Sequence, residues 1–216
     1  MPTKYGYSTL GIISISVFII IAFSFFVNNN FEKLILIVLP IIFLLFSLYF
    51  FRDPERTTPL GDKIIVSPAD GKVLFIKDVY DNKFINGKAK QISIFMSPLD
   101  VHVNRIPISG KIEYLKYFKG KYIAAFDDKA SEENERAEFG IESKFGKILF
   151  TQVAGFIARR IVYHIKLGDT VKSGERFGMI KFGSRADIVV PDNWQPKVKK
   201  NEHVKAGETI LFELTN

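Results

Sequence analysis

Two uncharged runs dominate the first quarter of the chain. No Asp, Glu, Lys or Arg occurs from Tyr5 to Phe31, Glu32 and Lys33 follow, and Leu34 to Phe51 is again free of charge. Each run is close to the ~20 apolar residues that a helix needs to cross a bilayer. The pattern therefore predicts a transmembrane helical hairpin over residues 1–51, with helices at about 8–27 and 34–51. Val27-Asn28-Asn29-Asn30-Phe31-Glu32-Lys33 connects them, short enough to make them antiparallel neighbours. Pro40 falls in the first turns of the second run, where a membrane helix tolerates it. No small-residue cleavage site follows either run, which argues against a signal peptide. Lys4 lies at one end of the hairpin, and Arg52, Arg56 and Lys63 follow the other. The positive-inside rule then places both ends, and residues 52–216 with them, on the cytoplasmic side of the cell (inner) membrane.

After Arg52 the pattern changes to short apolar stretches punctuated by Gly, Pro and Asp. Strands are expected, for example, at Lys63–Val66, Gly71–Ile76, Gln91–Phe95, Gly110–Leu115, Lys147–Val153, Ile161–Ile165, Gly178–Phe182 and Ile188–Val190. One helical piece is expected at Ser131–Phe139, where a serine precedes an acidic first turn. Gly168-Asp169-Thr170-Val171-Lys172-Ser173-Gly174-Glu175 matches Asn201-Glu202-His203-Val204-Lys205-Ala206-Gly207-Glu208 at Val, Lys, Gly and Glu, offset by 33. Both phrases are similar to the turns of lipoyl and biotinyl carrier domains. The fold class is mostly β: a barrel-like sandwich of short strands with such hairpins, preceded by the α-helical hairpin.

Composition removes some chemistry. The chain has no cysteine, which excludes disulfides, zinc–thiolate sites and thiol nucleophiles. No metal is expected. Removing Lys4, Lys33 and Glu32 from the totals of 30 basic and 23 acidic residues leaves 28 and 22 in residues 52–216, a net +6. Such charge beside a membrane attracts anionic lipid. Its scatter along the chain argues against nucleic acid. Tyr114-Leu115-Lys116-Tyr117-Phe118-Lys119 and Gly120-Lys121-Tyr122 interleave aromatics with lysines, which suits an edge on anionic headgroups as well as an ordinary amphipathic strand.

The phrase Met179-Ile180-Lys181-Phe182-Gly183-Ser184-Arg185-Ala186-Asp187 holds a Gly-Ser pair between two strand-like runs. It lacks the G-x-S-x-G elbow of an ordinary serine hydrolase, and an isolated Gly-Ser is usually a plain turn. Five further phrases accompany it: Phe50-Phe51-Arg52-Asp53-Pro54-Glu55-Arg56; Ser67-Pro68-Ala69-Asp70-Gly71-Lys72-Val73; Ile94-Phe95-Met96-Ser97-Pro98-Leu99-Asp100-Val101-His102-Val103-Asn104-Arg105-Ile106-Pro107; Asp128-Lys129-Ala130-Ser131-Glu132-Glu133-Asn134-Glu135-Arg136; and Gln152-Val153-Ala154-Gly155-Phe156-Ile157-Ala158-Arg159-Arg160-Ile161-Val162. In order and spacing the set resembles the phosphatidylserine decarboxylase proenzymes, in their short form with an N-terminal membrane hairpin.

That resemblance implies a decarboxylase of phospholipid biosynthesis, which turns phosphatidylserine into phosphatidylethanolamine. It implies self-cleavage between Gly183 and Ser184 into a β chain (1–183) and an α chain (184–216). Ser184 Oγ attacks the Gly183 carbonyl, and the resulting ester eliminates. Residue 184 ends as a covalent pyruvoyl group, the cofactor, which binds the substrate amine as a Schiff base and serves as the electron sink that decarboxylation requires. Glycine at 183 leaves the attack unobstructed. Partners implied are phosphatidylserine, anionic membrane lipid and the two chains of the proenzyme, with a homodimer one assembly open to it. Archaetidylserine would suit the same recognition chemistry.

Self-cleavage needs a base, and the carbanion needs a proton. His102 stands in a phrase crowded with polar groups and titrates in the right range. His164 alternates with Val162 and reads as half-buried and structural; His203, in the carrier-like turn, reads as exposed. Asp70 is a candidate to orient or tune His102, or, like any Asp in such a turn, to bond its own backbone. Long-form members carry a second histidine three residues after the first, in a self-cleavage role; here that position is Arg105. Either His102 serves both steps, or Asp70 or Asp100 is the base. Arg105 stays protonated, so with Phe182 it is a candidate for holding the substrate. Two rival readings use the same residues. One is a membrane-tethered lipoyl/biotinyl-type carrier or adaptor modified at Lys129; the other is a serine peptidase pairing Ser184 with Lys181.

Overall fold

The computed structural model describes residues 1–121, 133–155, 160–181 and 184–215. The chain divides into two compact units, Met1–Pro54 and Glu55–Asn216.

In the first unit a 3₁₀ turn, Lys4–Gly6, leads into α1 (Tyr7–Ser24), and α2 (Asn30–Phe50) returns. Both helices are long and apolar enough to cross a membrane, and most of their large apolar side chains face outward. The asparagines explain the reversal. Asn29 caps α2, its side chain accepting from the amides of Phe31 (2.9 Å) and Glu32 (3.5 Å), and Glu32 adds a negative charge to the positive end of the helix. The cap starts α2 four residues earlier than the uncharged run does. Pro40 therefore lies in the middle of the helix rather than in its first turns. At the other end the Thr3 amide donates to Phe51 O (2.7 Å) and the Asp53 amide to Met1 O (2.8 Å), so both ends of the hairpin are tied together.

The second unit is built from β1 (Ile64–Val66), β2 (Gly71–Asp81), β3 (Gly87–Met96), β4 (Val103–Arg105), β5 (Gly110–Phe118), β6 (Arg136–Ser143), β7 (Gly146–Ala154), β8 (Arg160–Tyr163), β9 (Thr170–Val171), β10 (Arg176–Lys181), β11 (Ser184–Pro191), β12 (Trp194–Pro196), β13 (His203–Val204) and β14 (Ile210–Leu214). An eight-stranded antiparallel sheet runs β13-β2-β3-β11-β7-β6-β5-β9. Two three-stranded sheets, β4-β10-β8 and β1-β14-β12, complete the unit. Period-two alternation selects the core face of the large sheet. Ile92, Ile94 and Met96 on β3, Ala186, Ile188 and Val190 on β11, and Ile148 and Phe150 on β7 all turn inward. Phe139 stacks on Phe150 (5.1 Å between centroids, 20°), and Phe177 and Tyr163 meet Phe139 edge-on. The helix expected at Ser131–Phe139 does not form across Arg136–Phe139, which belong to β6. There Ala137, Phe139 and Ile141 alternate inward, and burying them in the sheet outweighs the local acidic-turn signal.

The sheet order is a palindrome: β13, β2, β3 and β11 on one side of its centre correspond to β9, β5, β6 and β7 on the other. The hydrogen bonds repeat accordingly. Val73 N donates to Glu202 O and Ile112 N to Asp169 O (2.9 Å each); Gly207 N donates to Ser67 O and Gly174 N to Ile106 O (2.8 Å each). The offset-33 repeat thus marks the two outer hairpins of a pseudo-twofold unit. Gly174 (φ 81°) and Gly207 (φ 74°) meet near its axis, where a Cβ on Gly207 would lie 3.6 Å from Gly174 Cα.

Candidate active site

The same symmetry locates an opening. β6 and β7 are joined by a tight turn in which Ser143 pairs with Gly146. Counted from the paired ends of β2 and β5, the equivalent positions in the other half are Met96, ending β3, and Ser184, opening β11, which pair with each other. Where one half closes a hairpin, the other brings together two strand ends far apart in sequence.

Ser184 is the first residue of β11, fully buried, between Met96 and Ala154 on the neighbouring strands. Its hydroxyl donates to Met96 Sδ at 3.2 Å. The same sulfur lies 3.8 Å from Asn104 Nδ2, which also donates to Pro68 O at 3.3 Å. Asn104 Oδ1 accepts from Gln152 Nε2 at 2.8 Å. Ser184, Met96, Asn104 and Gln152 thus form one buried chain of polar contacts between the large sheet and β4. Phe182 and Gly183 lie outside the described residues, as do Lys129 and the rest of 122–132.

His102 stands two residues before Asn104 and is fully buried. Its carbonyl accepts from Ile180 N (3.3 Å), which fixes it against β10, four residues before Ser184. Nδ1 lies 3.0 Å from Asp100 O. A carbonyl can only accept, so Nδ1 carries the hydrogen, and a neutral ring has its lone pair on Nε2. Asp100 itself closes the turn after β3, its carboxylate accepting from Ser97 N at 2.7 Å.

Asp70 and Arg105 meet elsewhere, around the tip of the Ala206–Gly207 hairpin. Asp70 Oδ1 accepts from Ala206 N (2.7 Å), and Oδ2 takes Arg56 Nη2 (2.8 Å). Arg56 Nη1 continues to Glu208 (2.9 Å). Burial alone would raise the Glu208 pKa, but the Arg56 hydrogen bond and charge and the Thr57 amide outweigh it and leave it lowered. Ser109 is the pseudo-symmetric counterpart of Asp70; its hydroxyl accepts from Ser173 N at 2.9 Å, as Asp70 does from Ala206 N. Arg105 follows Asn104 along β4, so its side chain leaves on the opposite side from the Asn104–Gln152 pair. Its Nη1 donates to Gly174 O (2.9 Å). With Arg56, His164, Lys172 and Arg176, and the acidic Glu55 and Glu175, it lines an open cleft of about 680 Å³. His164 is exposed there rather than half-buried, and His203 is exposed as expected. Lys181 is buried beside its cross-strand neighbour Arg160; desolvation first, and that charge second, lower its pKa.

Sequence reasoning passed over Met96, Asn104 and Gln152. A signal existed for the last: along β7 the inward parity reads Ile148, Phe150, Gln152, Ala154, with one amide in an apolar series.

Comparison with known proteins agrees with the motif set. The family model for phosphatidylserine decarboxylase matches residues 43–212. Proteins named phosphatidylserine decarboxylase proenzyme are similar along most of the chain. That of Chlorobium phaeovibrioides is 55% identical over 173 residues, covering 80% of this chain and 78% of its own. That of Chlorobium limicola is 45% identical over 212 residues, covering 98% and 99%. That of Salinibacter ruber is 52% identical over 171 residues, covering 78% and 75%. A buried serine that opens a strand, together with a buried histidine just before β4, thus stands in a chain that belongs to the phosphatidylserine decarboxylase family.

Proposed function

We propose that this chain cleaves itself between Gly183 and Ser184 and then decarboxylates phosphatidylserine to phosphatidylethanolamine, at the cytoplasmic face of the membrane that holds its hairpin. The observation that carries the reading is the placement of Ser184: buried, first in its strand, and directly after the bond to be cut.

Ser184 Oγ is the nucleophile. It bonds to the Gly183 carbonyl carbon, its proton passes to a base, and the peptide C–N bond breaks to leave an ester and a free amine. Removal of the residue 184 Cα proton then expels the Gly183 carboxylate, and hydrolysis of the resulting enamine releases ammonia. His102 is the base of choice, because the Asp100 carbonyl holds its Nδ1–H and leaves Nε2 to take the proton.

The surroundings of Ser184 suit a pyruvoyl group. Its Cβ, which would become a methyl, faces the Met96 thioether and the Ala154 strand position, both apolar and fully buried. Once formed, that group supplies an electron-poor carbonyl that bonds the substrate amine and takes up the electron pair left by CO₂. His102 then returns a proton to the substrate carbon. Arg105 is the candidate for the anionic headgroup, since a guanidinium grips carboxylate or phosphate with two parallel donors.

Ser184→Ala tests the reading. It should fold, remain a single chain and release no CO₂ from carboxyl-labelled phosphatidylserine, whereas the wild type releases CO₂. A Ser184→Ala protein with wild-type CO₂ release would overturn it.

A further inference from the structure

Asn104 and Gln152 are amide side chains sealed in the interior, 0% and 1% exposed. The Pro68 carbonyl can only accept a hydrogen bond, and the Met96 sulfur is an acceptor as well. Asn104 must therefore turn its NH₂ toward the sulfur that Ser184 Oγ touches, and its oxygen toward Gln152. Gln152 must in turn present its own NH₂, which it does. The cost is visible at the other end of the amide. Gln152 Oε1 is inaccessible and has no hydrogen-bond partner among the described residues. Burying an unmet acceptor is unfavourable, so the pair fixes amide direction at the expense of stability.

We propose that Asn104, oriented by Gln152, donates a hydrogen bond to Ser184 Oγ and stabilises it as the leaving atom of self-cleavage. The inference rests on the self-cleavage reading above. In the second chemical step the Cα proton of residue 184 is removed, its electron pair forms the Cα=Cβ bond, and the Cβ–Oγ bond breaks. Oγ departs as part of the Gly183 carboxylate. Negative charge builds on that carboxylate, beside a thioether that has no proton to give. The Asn104 NH₂ already shares that sulfur with Oγ. Its present bonds, 3.3 and 3.8 Å, are long and readily exchanged for a charged acceptor. Gln152 is a positioning residue: without it the Asn104 amide is free to turn its oxygen toward Oγ.

The test follows chain cleavage in full-length Asn104→Ala, Asn104→Asp and Gln152→Leu beside wild type, with thermal unfolding as the check on folding. Samples are run with and without hydroxylamine, which cuts an ester at Gly183 and leaves Ser184 with a free, sequenceable amine. We expect Asn104→Ala and Gln152→Leu to complete cleavage at least tenfold more slowly and to accumulate hydroxylamine-labile chain. Asn104→Asp has an acceptor where the donor was while ionised, and regains a donor when protonated. Its cleavage should therefore speed up as pH falls, a dependence that a merely structural role would not produce. Wild-type cleavage on the same gel separates the two claims. If wild type itself stays whole, the self-cleavage reading fails. If wild type is cut and Asn104→Ala and Gln152→Leu are cut as fast, this inference alone fails. Slow cleavage with no hydroxylamine-labile chain would also overturn it, because the donor would then not act at elimination. Should Asn104→Ala not fold, Gln152→Leu and the Asn104→Asp pH profile carry the same decision.

Discussion

At the scale of single residues, a carboxylate and a hydroxyl stand in equivalent places with different surroundings. Asp70 and Ser109 each precede a strand-opening glycine, and each accepts one backbone amide from the facing hairpin. Asp70 adds an ion pair to Arg56. If that charge serves the chemistry, the counterpart supplies the control. Ser109→Ala should lose one hydrogen bond, about 1 kcal/mol of stability, and cleave normally. Asp70→Asn keeps an acceptor for Ala206 N but loses the charge facing Arg56, and should cleave more slowly. A gel time course decides it; wild-type cleavage in Asp70→Asn would confine Asp70 to the turn. His102, Asp70 and Ser184 stand out in the sequence as candidates because each sits in a motif. It did not show that Asp70 and Arg105 gather at the Ala206–Gly207 tip, because that depends on strands meeting across the sheet. Arg105 follows Asn104 in sequence, yet strand alternation sends it to the other side of β4.

At the scale of elements, the repeat is a statement about backbone. Gly168 (φ 91°) and Asn201 (φ 72°) occupy the same left-handed position in the two hairpins, and Gly174 and Gly207 share the next one. Asn tolerates that conformation; side chains in general do not. The space differs as well. A Cβ at Gly168 meets nothing within 4 Å, whereas one at Gly207 would approach Arg105 Cδ to 2.8 Å. Gly168→Asn should therefore be nearly neutral, while Gly207→Ala should cost about 1–3 kcal/mol, with thermal unfolding as the measure. Equal effects would contradict the crowding at the axis. The eight expected strands all exist, but their ends differ: β2 runs on to Asp81, while β8 stops at Tyr163, short of Ile165. β9 and β13 have two residues each, too short for any period. β11 begins at Ser184 rather than Ile188, because Arg185 and Asp187 occupy the non-core face. There Arg185 Nε donates to Asp187 at 2.6 Å, so two charges are buried as a pair on a face where charged residues normally meet water.

At the scale of the whole molecule, the chain joins an apolar hairpin to a pseudo-symmetric β unit whose two halves differ where chemistry is expected. One half closes with the Ser143–Gly146 turn; the other leaves Met96 and Ser184 as paired ends, so a nucleophile is held at a strand start. The mostly β class and the helical hairpin were legible because hydrophobic runs and turn residues are local signals. The palindromic sheet was legible only in part, through the offset-33 repeat, since its other half rests on pairings between distant segments. The central claim is that this architecture cuts its own chain at residue 184, and intact-mass measurement of purified wild-type protein tests it most directly. The account predicts two polypeptides, one ending at Gly183 and the other, residues 184–216, lighter by one ammonia than its unmodified sequence and blocked to N-terminal sequencing. A single intact chain that decarboxylates phosphatidylserine, or a small fragment beginning with an unaltered serine, would contradict it.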